Sequence, residues 1–162
     1  NVFIASSDNA SELQVVSAAV PALPALLGIL DLASGSATAD ALSIVLSGDT
    51  AYMGRQNSGA PEFYAVNILV PAQPLLTSAL ELDSDIRSLD ISILRNIAFA
   101  ATSDAGNDFQ TISVADSAAP ALLGALDLAD ASVDLVYNET LDRNFITSSS
   151  DTQELQVIAP YP

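Results

Sequence analysis

The chain repeats itself, and that constrains its fold more than any other feature. An apolar triplet followed by small polar residues occurs four times: Val2-Phe3-Ile4, Tyr52-Met53-Gly54, Ala98-Phe99-Ala100 and Asn144-Phe145-Ile146. The central residues fall at 3, 53, 99 and 145, in steps of 50, 46 and 46. A second motif keeps the same steps: Glu12-Leu13-Gln14-Val15-Val16, Glu62-Phe63-Tyr64-Ala65-Val66, Asp108-Phe109-Gln110-Thr111-Ile112 and Glu154-Leu155-Gln156-Val157-Ile158. A third runs from Pro24 to Leu32, from Pro74 to Leu82 and from Pro120 to Leu128. A fourth precedes the first motif wherever the chain reaches back far enough, at Leu42–Leu46, Ser88–Leu94 and Val133–Tyr137. A shared period across independent motifs is the signature of a repeat architecture.

Each motif is short, rich in Val, Ile, Leu, Phe and Tyr, and bounded by Gly, Pro, Asn, Asp or Ser, which is how strands read. No segment carries a long helical period with caps. Four strands in about 46 residues is the period of a β-propeller blade. With strands named A to D within a blade, the chain reads B-C-D, A-B-C-D, A-B-C-D, A-B-C, or 14 strands. The expected fold is therefore all-β: blades of four antiparallel strands, about three and a half repeats of 46–50 residues, in a single domain over 1–162. The units run over about 1–32, 33–82, 83–128 and 129–162. The end units do not combine into one blade, since one lacks A and the other lacks D. The expectation is a segment of a larger propeller, with a small four-bladed ring or an open array as alternatives. An Asn at position 1 fits the same view of a processed or excised chain.

The uncharged stretch from Leu13 to Leu30 approaches the length of a membrane span. Pro21, Pro24 and Gly28 interrupt it, and Ala65–Leu80 repeats the layout with Pro71 and Pro74, so both read as two strands and a loop. No basic segment precedes an apolar run as in a signal peptide.

In the repeat, Gln14-Val15-Val16 through Pro24-Ala25-Leu26-Leu27-Gly28, and Thr111-Ile112 through Pro120-Ala121-Leu122-Leu123-Gly124, resemble the LVIVD-type propeller repeat. The second copy departs, with Thr77-Ser78 where the others have Leu27-Gly28 and Leu123-Gly124. The resemblance covers the whole chain and concerns architecture. It implies an extracellular or cell-surface location, since such proteins are mostly exported and lack an assigned activity.

Composition then bounds the chemistry. Asp and Glu total 20 against four Arg and no Lys, for a net charge of −16, and there is no His, Cys or Trp. Histidine bases, Cys or Ser nucleophiles paired with His, and lysine Schiff bases are excluded within these residues. So are Cys/His zinc sites. Such an acidic chain repels phosphate backbones, so no nucleic-acid partner is expected.

In four-stranded antiparallel blades, B–C loops and D–A connections share one face, and A–B and C–D loops share the other. This rule leaves only Asp49, Asp90, Asp116, Glu139 and Asp142 outside the first face and places the other 15 of 20 acidic residues, Asp134 included, on it. Arg95 and Arg143 fall on the second. Clustered carboxylates suit hard cations such as Ca²⁺, which takes six to eight oxygens. The candidates are Asp8 with Glu12, Asp83 with Asp85, Asp104 with Asp108, and Asp151 with Glu154. Asn9 and Asn138 stand in N-glycosylation tripeptides. The bland alternative for the acidic loops is solubility and protection of sheet edges. Phe3, Phe63, Phe99, Phe109 and Phe145 are expected to pack between blades.

The leading functional expectation is a non-enzymatic, exported repeat domain that offers a surface to a protein or surface glycan, as in adhesion. A carboxylate-based carbohydrate-active enzyme, or a domain associated with one, is the alternative; a structural unit self-associating through open blade edges is the third. No catalytic residue and no cofactor beyond Ca²⁺ is assigned.

Overall fold

The computed structural model describes residues 1–32, 39–128 and 130–159. It is all-β, with 14 strands in four antiparallel sheets and no helix among the described residues. The first sheet holds β1 (Val2–Ala5), β2 (Leu13–Ser17) and β3 (Ala25–Leu30). The second holds β4 (Ala41–Ser47), β5 (Thr50–Arg55), β6 (Phe63–Asn67) and β7 (Leu75–Leu80). The third holds β8 (Ile86–Ser92), β9 (Ile97–Thr102), β10 (Phe109–Ser113) and β11 (Ala121–Leu126). The fourth holds β12 (Ser132–Asn138), β13 (Arg143–Ser148) and β14 (Leu155–Ile158). Each sheet is a simple meander, and none closes on itself. The uncharged Leu13–Leu30 stretch is β2 and β3 with a proline-bearing turn, and no helix among the described residues is long and apolar enough to cross a membrane.

Strand pairing corrects the alignment of the second copy. Phe3 pairs with Val15, Phe99 with Thr111 and Phe145 with Val157, but the residue opposite Ala65 is Tyr52, one position before the Met53 that sequence spacing selects. Tyr52 thus takes the aromatic role, and its ring stacks on Phe63 at 5.7 Å just as Phe99 stacks on Phe109 at 6.0 Å. The extra residue belongs to the β5–β6 loop, where Gly59 adopts a φ of 75°. Arg55, not Gln56, then stands where the other units have Ser6, Thr102 and Ser148.

Bulges repeat as faithfully as strands. The register shifts by one residue in β3, β7 and β11 against their partners, at Leu27, Thr77 and Leu123. The next residue is Gly28, Ser78 or Gly124, the site where the second copy departs in sequence. A Cβ on Gly28 would lie 2.5 Å from the Pro71 carbonyl oxygen, so the β6–β7 turn of the next sheet rests on it. At Ser78 the hydroxyl instead donates to the Ser117 carbonyl, 2.6 Å away in the β10–β11 turn. The glycine-to-serine change swaps backbone contact for a hydrogen bond across the same joint.

Three apolar clusters fill the spaces between successive sheets. Leu13, Val15, Met53 and Tyr64 pack between the first and second. Tyr52, Phe63, Ile86 and Ile112 pack between the second and third, and Phe99, Phe109, Leu135 and Ile146 between the third and fourth. The leading strands β4, β8 and β12 lie side by side. Side chains lock them: the Leu89 N–H donates to Ser43 Oγ at 2.8 Å, and the Tyr137 N–H donates to Asp90 Oδ2 at 2.7 Å. Asp134 sits within β12, where its Oδ1 accepts from the Ser88 hydroxyl. The trailing strands β3 and β7 are mostly exposed, and β11 is exposed along its whole length.

One joint depends on a missing methyl. A Cβ on Gly54 would meet Ile86 Cγ2 at 2.4 Å, and Ile86 is fully buried. By register the same pair of positions carries Ala5 and Ala41 in the preceding joint, and Ala101 and Ser132 in the following one. Gly54→Ala is expected to cost ~1–3 kcal/mol by overpacking. The loss from Ile86→Ala should be smaller in that background than in the parent, a coupling that urea denaturation of the double-mutant cycle measures.

Candidate functional site

The backbone itself shows which connections share an end of the sheets. The Ala41 N–H donates to the Ser6 carbonyl, Gln56 N–H to Asp40, Ser103 N–H to Asp85 and Ser149 N–H to Ala131, each joining a B–C loop to a D–A connection or, at Ala41, to the start of the strand that follows it. At the other end, Ile68 N–H donates to Asp49 and Val114 N–H to Asn96. The first end carries most of the carboxylates and, at its rim, the exposed Arg87. Asp49, Asp116, Glu139 and Asp142 sit at the second, where Asp142 pairs with Arg95.

Three of those first-end carboxylates do not face solvent. Glu12, Glu62 and Asp108 are buried. Each accepts one hydrogen bond from a backbone N–H 20 residues downstream: Leu32 to Glu12 Oε2 at 3.0 Å, Leu82 to Glu62 Oε2 at 2.8 Å, and Leu128 to Asp108 Oδ2 at 3.0 Å. The repeating acidic residue thus ties the B–C loop to the chain leaving the D strand, and it caps an N–H that no sheet would satisfy. The second oxygen of each carboxylate is buried without a partner. Glu154, at the same repeat position, is exposed.

This placement redistributes the candidate cation ligands. Asp8 is exposed and its Oδ1 accepts from the Ala10 N–H at 3.0 Å, while Glu12 turns inward to its latch, so the two do not converge. Asp85 Oδ1 accepts from Asn57 N–H at 2.8 Å in the neighbouring loop, and Asp83 beside it adopts a φ of 55°. Asp104 Oδ2 accepts from Asn107 Nδ2 at 2.8 Å, and Asp108 turns inward. Asp151 and Glu154 are both exposed. No three acidic side chains group around a point that could hold a metal ion, among the described residues. Asn9 and Asn138 are exposed, and Asn138 Oδ1 accepts from the Leu141 N–H.

Burial is the main reason the Glu62 carboxyl rises to about 7; the Leu82 N–H opposes the shift and the neighbouring Glu81 carboxylate adds to it. The folded chain therefore holds this proton more tightly than the unfolded chain, whose glutamate titrates near 4.5. Stability from this group is complete below pH 4.5 and is lost as pH rises through 7. Glu62→Gln, which keeps an acceptor for Leu82, should flatten the fall in urea midpoint between pH 5 and 7.5. The wild-type-minus-variant difference isolates it from other carboxylates.

The second unit also breaks the pattern with a buried cation. Where the other units carry a hydroxyl residue and a glutamine at two equivalent positions (Ser6 and Gln14, Thr102 and Gln110, Ser148 and Gln156), this one has Arg55 and Tyr64. The guanidinium is fully buried. It donates to Tyr64 Oη at 3.0 Å and to the Ala39 carbonyl at 3.3 Å, and lies over the Tyr64 ring at 5.7 Å. The sequence signal was present in the repeat but hidden by the one-residue offset of that copy.

The third unit differs in another way. Its latch is an aspartate where the other three units carry glutamate, one methylene shorter. Beside it lies a cavity of about 290 Å³ lined by Ser103, Ala105, Asp108, Asp127, Leu128, Asp130 and Ala131. Asp127 and Asp130 are exposed at its rim. Sequence spacing had grouped Asp108 with Asp104, and only the meeting of the B–C loop with the D–A connection brings Asp127 and Asp130 to it.

No protein-family model matches the chain, and no curated protein matches it. Among solved structures the fold is similar to that of the computationally designed Ika8 protein. The TM-score is 0.61 at 12% identity, over 89% of this chain and 39% of that one. The chain thus spans about two-fifths of that protein's length, and the likeness concerns the fold alone.

The latch makes a sharp comparison between equivalent residues. Glu12→Ala should cost ~1–3 kcal/mol, because the Leu32 N–H loses its acceptor. Glu154→Ala, at an exposed side chain, should change stability by less than ~0.5 kcal/mol. Urea denaturation of the two variants tests it.

Proposed function

We propose that the four sheets are consecutive blades of a β-propeller and that the chain is an exported, non-enzymatic interaction module. Its acidic end is the surface that meets a partner, and the partner is a protein with a basic face. The observation that carries this reading is the segregation of charge: carboxylates crowd the end built from B–C and D–A connections. The opposite end holds fewer acids and two of the four arginines. Concentrated like charge in one surface raises the encounter rate of an oppositely charged partner and rejects anionic ones. The LVIVD-like repeat supports the propeller and the extracellular location. The latches support a rigid rim, since loops tied at both ends hold their exposed neighbours in place.

Two double substitutions that change net charge equally separate a surface from mere acidity. Asp8→Asn with Asp151→Asn removes two charges from the first end, and Asp49→Asn with Asp116→Asn two from the second. Binding to immobilised polylysine at 0.15 M salt should weaken at least threefold for the first pair and stay within experimental error for the second. Equal weakening by both pairs would reduce the acidic end to general solubility.

A further inference from the structure

We infer that the second end, opposite the crowded carboxylates, is a docking surface for a lipid bilayer with zwitterionic phosphocholine headgroups. The inference goes beyond the interaction module, since it concerns the other end of the sheets and leaves the acidic end facing water.

Exposed apolar side chains in the loops are sorted between the ends as sharply as the charges. Outside the strands, every exposed large apolar side chain among the described residues lies in a turn of the second end. Val20 and Leu23 stand in the β2–β3 turn, Leu69 in β6–β7, Ile93 and Leu94 in β8–β9, and Leu141 in β12–β13. Leu94 is 82% exposed and Leu23 75%. At the first end, by contrast, Leu32 and Leu82 of the D–A connections are buried. Exposed apolar surface gathered at one place marks an interaction site.

Three features select a bilayer as the occupant. The backbone of these turns is already satisfied. The Leu23 N–H donates to the Val20 carbonyl and the Leu69 N–H to Asn67 Oδ1, each at 2.9 Å. The Leu94 N–H donates to Glu139 Oε1 at 3.0 Å and the Leu141 N–H to Asn138 Oδ1 at 2.9 Å. Lipid offers an amide no acceptor, so only a turn that supplies its own can enter. The tips also belong to separate turns of four sheets. A fluid apolar phase takes scattered tips without matching their shape, whereas a protein partner needs a complementary surface.

Charge is the third feature. Asp49, Asp116, Glu139 and Asp142 stand at the second end with Arg95 and Arg143, an excess of two acids in a chain of net −16. Strands of six or seven residues at ~3.3 Å per residue hold the two ends about 20 Å apart. That exceeds the screening length of ~8 Å at physiological salt, so the crowded carboxylates do not repel the headgroups. The small acidic excess favours zwitterionic over anionic lipid.

The test is flotation of the intact chain with large unilamellar vesicles of dioleoylphosphatidylcholine at 0.15 M salt. Saturable partition into the vesicle fraction is expected, and adding dioleoylphosphatidylglycerol should not strengthen it. Leu23→Ser, Leu69→Ser and Leu94→Ser, all at exposed positions, should each weaken partition at least about threefold, and the triple variant at least about thirtyfold. Ile29→Ser and Leu126→Ser remove exposed apolar surface where β3 and β11 approach the acidic end, and should leave partition within about twofold. Absence of partition, or weakening by the Ile29 and Leu126 variants as large as by the turn variants, would overturn the docking surface. A requirement for cationic lipid would overturn it too, by putting the acidic end on the bilayer. Self-association without lipid that the triple variant abolishes, with vesicles unbound, would instead assign the leucine tips to a second copy.

Discussion

The structure hangs on a carboxylate that reaches back for a backbone N–H 20 residues away. A four-stranded meander gives each unit good hydrogen bonding inside the sheet but says nothing about how the last strand hands over to the next unit. The chain leaving a D strand must expose an amide that no neighbouring strand can accept. Glu12, Glu62 and Asp108 accept it, and in doing so fix where the next sheet begins. The B–C loops then bond to the connections beside them, and the leading strands meet along β4, β8 and β12. Burial of half a carboxylate without a partner is the cost of this arrangement, and it surfaces as the raised proton affinity of Glu62.

The strands, their order and their division into sheets are legible in the sequence because strand length, alternation and turn residues recur in phase. Recurrence also limits what can be read. In the second unit an added loop residue left the motif recognisable but displaced it by one. Spacing alone preferred Met53 to Tyr52, and hid that Arg55 replaces a hydroxyl. Only cross-strand partners, Tyr52 with Ala65, settle such a register. Asp134 is a different case: sequence counted its charge with the acidic connections beside its strand, while the structure sets it on β12 beside Ser88, whose hydroxyl donates to it.

The acidic motif shows the deeper limit. A repeated Glu or Asp among small polar residues reads as surface or as a cation ligand, because isolated carboxylates are rarely buried. Its partner lies 20 residues on and is a main-chain group, which no side-chain pattern can reveal. The same holds for Asp127 and Asp130, brought to Asp108 by chain path rather than spacing. Departures from the repeat proved more informative than the repeat: Arg55 with Tyr64, Asp for Glu at 108, and Ser78 for glycine each mark a place where one unit does something its siblings do not.

The fit of Gly54 to Ile86 has a consequence for how such a chain can evolve. Each joint is filled by its own pair, Ala5 with Ala41, Gly54 with Ile86, Ala101 with Ser132, so volume is shared between neighbours rather than held within a unit. Exchange of the second and third units would set Ile86 against Ala5 and leave Gly54 facing Ser132, one joint overfull and another hollow. The units therefore carry addresses. New copies can arise by duplication, but they settle into the array only as both of their neighbours change with them, and the order of the repeats is itself an inherited trait.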